Sequence, residues 1–256
     1  MELANYNILG RILYYAPRYS PIHPGRVITT FAAISIIVEA LNGNGAAYSA
    51  NSSLSKDKQD LGRALLKASL LIQVFVVLAF VTLALVFHMR IRKAGLRNAN
   101  MSNALATLYV STAILFTRTI YRVVEYFSVA DLHYTAADFD PMTLSPLIRY
   151  EWFFYVFEAS LMLVNMVMMN VRHPRKYLPQ STKVYLADDG VTEIRGPGYK
   201  EDRNFFVTIL DPFDIYGLIK GKDANTKFWE EQGQQQHQQG AVTGGQGSSL
   251  KRDPEA

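Results

Sequence analysis

The feature that most constrains this chain is Ala104–Phe127, an apolar run broken by three charges, Arg118, Arg122 and Glu125. As a helix the run is about 36 Å long, enough to cross a hydrocarbon core of about 30 Å. The spacing i, i+4, i+7 places all three charges on one helical face. A charge at that depth costs at least about 2.5–3.5 kcal/mol, so this face must meet partners or water and not lipid.

Three further apolar runs accompany it: Val27–Leu41, at the short limit for a span even with Pro24 at the helix start, Ala64–His88, and Leu147–Val171. Together they predict an all-α polytopic membrane protein with transmembrane helices at about 24–41, 64–88, 104–127 and 147–171. Asn42-Gly43-Asn44-Gly45 is expected to stop the first of these, leaving a polar loop over 42–63. Whole-chain averages conceal the pattern: mean hydropathy is only +0.03, because polar residues collect after residue 171. Residues 1–23 contain no signal-peptide core and read as a cytoplasmic or interfacial stub, equally as the end of a lost span. After the bundle at 24–171, the stretch 172–230 reads as a cytoplasmic tail. Within it the alternation over Val184–Ile194, with Asp189-Gly190, predicts a small hairpin, and Asp211-Pro212 could open a short helix. Residues 231–256 are Gln/Gly-rich and expected to be disordered.

The net charge of +4 invites comparison with nucleic-acid binders, but the Lys and Arg residues flank apolar runs and form no basic face with interleaved aromatics. Their distribution reads as topology instead. Residues 1–26 carry three, 89–103 carry four, and Arg172, Arg175 and Lys176 follow the last run, whereas 128–146 carries none. Both termini are therefore expected on the cytoplasmic side, although Lys56, Lys58 and Arg63 in 42–63 run against the trend. Asn51-Ser52-Ser53, a glycosylation candidate, would then lie outside. The absence of cysteine excludes disulfides, thiolate metal sites and a cysteine nucleophile. The five histidines are dispersed, and no nucleophile elbow, phosphate-binding loop or dinucleotide fingerprint occurs. No cofactor, no metal and no enzymatic activity are expected.

Polar residues inside the predicted spans carry the functional information. Arg118 would lie about 13 Å from the outer end of its helix and Glu158 about 16 Å from the outer end of the fourth, a matching pair. Arg122 and Glu151 match similarly, at about 7 and 6 Å. At i, i+4, i+7 in a regular helix, Glu151, Tyr155 and Glu158 would share one face, with Tyr155 between the carboxylates. Tyr121 sits one step off the charged face, and Glu39 lies near the outer end of the first span. Two readings stand: ion pairs that hold helices together, or an outward-facing polar cavity for a headgroup or protons.

Taken together, Arg118-x-x-Tyr121-Arg122-x-x-Glu125, Glu151-x-x-x-Tyr155-x-x-Glu158, His173-Pro174 and Tyr177-Leu178-Pro179 resemble the fungal RTA-like family. Leu9-Gly10-Arg11 near the start agrees, as do Asp189-Gly190, Gly196-Pro197-Gly198 and Asp211-Pro212-Phe213-Asp214 in the tail. That family is named for resistance to aminocholesterol and described as lipid-translocating exporters. The resemblance implies a seven-helix bundle, of which this chain holds the last four spans and looks N-terminally truncated. It further implies a plasma-membrane location, a role in stress resistance, and membrane lipids or amphiphiles such as sphingoid bases or sterol-like compounds as partners. The substrate or proton site would comprise Glu39, Arg118, Tyr121, Arg122, Glu125, Glu151, Tyr155 and Glu158. One departure concerns the first retained span, where the family usually has an acid and a Gln; Ser35 and Asn42 stand there, and Glu39 is the only acid. The alternatives are a receptor-like stress sensor that signals through the tail, and a non-functional truncated member.

Overall fold

A computed structural model describes residues 1–21, 24–130, 149–179, 181, 183–187 and 192–195. Four uninterrupted helices come first: α1 (Glu2–Tyr15), α2 (Pro24–Ala50), α3 (Lys56–Lys93) and α4 (Ala99–Ala130). The fifth, α5, is α-helical over Trp152–Phe154, widens to a π-helical turn over Tyr155–Ser160, and is α-helical again over Leu161–Val171. Two short strands follow, β1 (Val184–Leu186) and β2 (Glu193–Arg195), antiparallel with Tyr185 opposite Ile194. Helices α2, α3, α4 and α5 are long and apolar enough to cross a membrane. The chain is an all-α polytopic membrane protein. The expected Asp189-Gly190 turn, the helix opened by Asp211-Pro212 and the disordered 231–256 lie outside the described residues.

The helix α2 runs through Asn42-Gly43-Asn44-Gly45 to Ala50, so the expected loop over 42–63 shrinks to residues 51–55. The reason is packing. A Cβ on Gly62 would lie 2.6 Å from the Ser49 backbone nitrogen, and one on Gly45 would lie 3.0 Å from the Gly62 carbonyl oxygen. These glycines let α2 and α3 approach backbone to backbone, the contact that small residues provide between membrane helices. That gain outweighs the poor helix propensity of glycine, about 1 kcal/mol each. In the short connection Asn51 Oδ1 accepts hydrogen bonds from the Ser53 amide at 3.0 Å and the Ser53 hydroxyl at 2.6 Å, closing an Asx turn. At the opposite end Gly95 adopts φ +74°, and Asn98 Oδ1 accepts from the Met101 amide at 3.0 Å to cap α4.

Within the expected stub, Glu2–Tyr15 forms a helix packed on α2 and α4. In α1, Leu9, Ile12 and Leu13 are fully buried between α2 and α4, and the Tyr6 ring lies 5.3 Å from both Phe31 and Phe80. The Tyr15 hydroxyl, at the last residue of α1, donates to Glu193 Oε1 at 2.9 Å, while Leu178, Tyr185 and Leu186 are buried nearby. The hairpin is thereby seated on the end of the bundle. Burial first, and the Glu193 carboxylate second, push the Tyr15 phenol up to about 12, so it remains a hydrogen-bond donor. The core is concentrated at this hairpin end. By contrast α5 leans mainly on α4 and exposes Leu163, Val164, Met166 and Val167, as a lipid-facing helix does.

Candidate functional site

The charged face of α4 meets α5 where α5 widens. Glu158, on the π turn, accepts a direct hydrogen bond from Arg118 Nη2 at its Oε1, and Arg122 Nη1 lies 3.7 Å from the same oxygen. The Glu158 side chain is 14% exposed and that of Arg122 39%, so the pair at Arg118 is sheltered while Arg122 stays accessible. Two buried atoms in this cluster, Glu158 Oε2 and Arg118 Nε, have no hydrogen-bond partner. Buried groups left in that state are uncommon and mark sites where water or ligand completes the set. π turns, too, are frequent at functional positions.

One turn along α4, Tyr121 is buried, stacks on Phe157 at 5.4 Å, and donates to Glu125 Oε1 at 3.3 Å. Arg122 and Glu125 border a cavity of about 240 Å³ together with Asn42 of α2, Leu66 and Leu70 of α3, and Tyr126. Its floor is charged and one wall is aliphatic. The Tyr126 hydroxyl is anchored to the Arg63 carbonyl at 3.1 Å, and Lys67 Nζ lies 5.7 Å over the Phe127 ring.

Of the residues expected at the site, Arg118, Tyr121, Arg122, Glu125 and Glu158 come together. Glu151, Tyr155 and Glu39 do not. Arg122 turns toward Glu158, and the expected Arg122–Glu151 pair is absent; Glu151 is exposed at the start of α5. Tyr155 is 59% exposed because the π turn breaks the 3.6-residue phase on which the shared face of 151, 155 and 158 depended. Glu39 is exposed, and since α2 continues to Ala50 it lies mid-helix instead of near an end. It forms no ion pair among the described residues. No group of three or more His, Cys, Asp or Glu that could hold a metal occurs among them either.

A second polar layer escaped sequence reasoning. Ser111 donates to Asn5 Oδ1 at 2.9 Å, and Asn5 Nδ2 donates to Thr112 Oγ1 at 3.4 Å. Gln73 Nε2 donates to Glu2 Oε1 at 2.7 Å, and the Tyr6 hydroxyl reaches Glu2 Oε2 at 3.4 Å and Ser35 Oγ at 3.1 Å. Only about 10 Å³ of free volume remains there. A signal was present: Ser111 lies seven residues before Arg118, two turns along the same face. The antiparallel register that sets Arg118 against Glu158 also levels Ser111 with Asn165, which is fully buried with both Nδ2 and Oδ1 unpartnered.

Comparison with known proteins agrees with this architecture. Residues 1–181 match the family described as "RTA1 like protein". A "Lipid-translocating exporter-like protein RTA1" from Leptosphaeria maculans is 38% identical over 230 residues, covering 87% of this chain and 43% of the relative. A protein of the same name from Ajellomyces capsulatus is 28% identical over 241 residues, covering 89% of this chain and 70% of the relative. The chain thus spans less than half the length of the first of these relatives. No solved structure matches. With five helices, the paired charges of α4 and α5, and a match that runs from the first residue into the tail, the chain belongs to the RTA1-like family.

Proposed function

We propose that the protein moves amphiphilic lipids or toxic amphiphiles across the plasma membrane, and that the cavity at Arg122 and Glu125 receives the polar headgroup. The observation that carries this reading is a charged cavity of about 240 Å³ with an aliphatic wall of Leu66 and Leu70, set among membrane-crossing helices. Charges at such depth are retained where they serve a ligand or ion path. The relatives' name, lipid-translocating exporter-like, supports the same class. The Lys and Arg distribution supports cytoplasmic termini, and in that orientation the cavity would face the outer leaflet and Asn51 would be an extracellular glycan acceptor. Sphingoid bases and sterol-like amphiphiles are the substrates to try first, and resistance to them is the phenotype that export would confer. The role is binding and movement, with no covalent chemistry.

Release of a labelled long-chain base from cells with and without the chain tests the proposal. Faster release with the chain, abolished by Glu158→Gln at equal surface amount, is the expected result; equal release overturns it. A sensor is the second reading, favoured by the Tyr15–Glu193 bond that ties the tail to α1. It predicts unchanged release and a lost stress response in Glu193→Ala.

A further inference from the structure

Two charged side chains line the cavity, Arg122 and Glu125, and they are not paired with each other. Arg118 is committed to Glu158, whose Oε1 is already taken by that bond. Arg122 approaches the same oxygen only to 3.7 Å, beyond hydrogen-bond length, and keeps most of its five donors for the cavity. Glu125 accepts from the neutral Tyr121 phenol, and among the described residues it forms no ion pair with Arg122 or any other cation. The cavity therefore presents one guanidinium and one carboxylate, three residues and about 4.5 Å of helix rise apart.

That arrangement discriminates by charge. A ligand bearing only an ammonium, such as a long-chain base, is held by Glu125 but opposed by Arg122 and binds more weakly than one carrying both charges, and a ligand bearing only an anion meets the reverse. A headgroup carrying both satisfies both. The planar fork of an arginine matches phosphate oxygens, whereas Glu125 and the Asn42 side-chain carbonyl accept N–H donors, as a primary ammonium supplies and a quaternary one does not. The volume, about 240 Å³ where about 10–15 Å³ of the same kind admits one water, has room for a phosphate, two carbons and an amine, with Leu66 and Leu70 beside the emerging chains.

We propose that the cavity recognises a phosphate-and-primary-ammonium headgroup, that of an amino-phospholipid, with the phosphate on Arg122 and the ammonium on Glu125 and Asn42. This rests on the reading of the cavity as a lipid-headgroup site and specifies its substrate class.

The test uses the full chain in detergent, titrated with acyl-labelled phosphatidylethanolamine, acyl-labelled phosphatidylglycerol and a labelled long-chain amine. Soluble glycerophosphoethanolamine serves as competitor. Expected is tightest binding of phosphatidylethanolamine. Arg122→Gln weakens it about tenfold and leaves the amine unchanged or tighter. Glu125→Gln weakens phosphatidylethanolamine and the amine but not phosphatidylglycerol. Arg122→Lys, which keeps the charge and loses the fork, gives an intermediate value and, with unchanged helix content by circular dichroism, separates recognition from misfolding. Amine binding equal to phosphatidylethanolamine, or phosphatidylethanolamine binding indifferent to Arg122→Gln, overturns the zwitterion assignment while leaving lipid translocation intact. Displacement by the soluble headgroup at concentrations equal to the lipid overturns a lipid source. Failure of all three lipids to bind overturns both the assignment and the reading beneath it.

Discussion

Two polar layers lie along the same face of α4 and differ in the space beside them. The layer at Ser111 and Thr112 is filled: Asn5 bonds both hydroxyls, the Glu2 carboxylate beside it accepts from Gln73 and Tyr6, and about 10 Å³ stays free. The layer at Arg118, Arg122 and Glu125 is charged and open. Its buried Glu158 Oε2 and Arg118 Nε lack partners, and about 240 Å³ adjoins it. Depth in the membrane is thus a poor guide to purpose. The space beside a polar layer separates one that fastens helices from one that can take a ligand.

The sharpest way to break the contrast is to remove one member of the charged pair. Arg118→Leu leaves the sheltered Glu158 carboxylate facing only the more distant Arg122, and is expected to lower stability by about 3 kcal/mol in detergent unfolding. Arg118→Leu combined with Glu158→Leu should recover most of that loss, because an apolar pair of similar volume replaces a buried ion pair at little cost. Lipid release should stay abolished in the double variant; if it returns with stability, the charges only hold helices. Next in size is Gly62→Ala, whose Cβ would lie 2.6 Å from the Ser49 backbone nitrogen and would force α3, which carries Leu66, away from α2. About 2 kcal/mol of destabilisation is expected, along with weaker lipid binding, although no charge is touched. In the layer at Ser111, Asn5→Leu should cost about 1–2 kcal/mol in the same unfolding measurement and leave lipid binding unchanged. Altered binding there would make the two layers one site. The smallest effect is expected for Asn165→Leu. Its amide has no partner to lose, so thermal unfolding should shift by less than about 0.5 kcal/mol or rise.

The spans, and the facing of Arg118 with Glu158, were legible in the sequence because both follow from length and a 3.6-residue period in long regular helices. What could not be read depended on neighbours. Gly45 marks a stop in isolation and a backbone crossing only when Gly62 stands opposite. The phase linking Glu151, Tyr155 and Glu158 assumed a regular helix, and one wide turn separated the first two from the third. The layer at Ser111 was hidden because α1, only 14 residues long, carries no run that length would flag as a span. Its Asn5 acquires meaning only beside Ser111, 106 positions later.

The bond from Tyr15 to Glu193 closes a loop of 178 residues, from the first helix to the last described strand. A chain made from its N-terminus cannot form this contact until α5 has been synthesised and inserted. Docking of the hairpin is therefore a late event that reports completed assembly, and a protease-sensitive segment around residues 183–195 would mark molecules whose last span had failed to take its place.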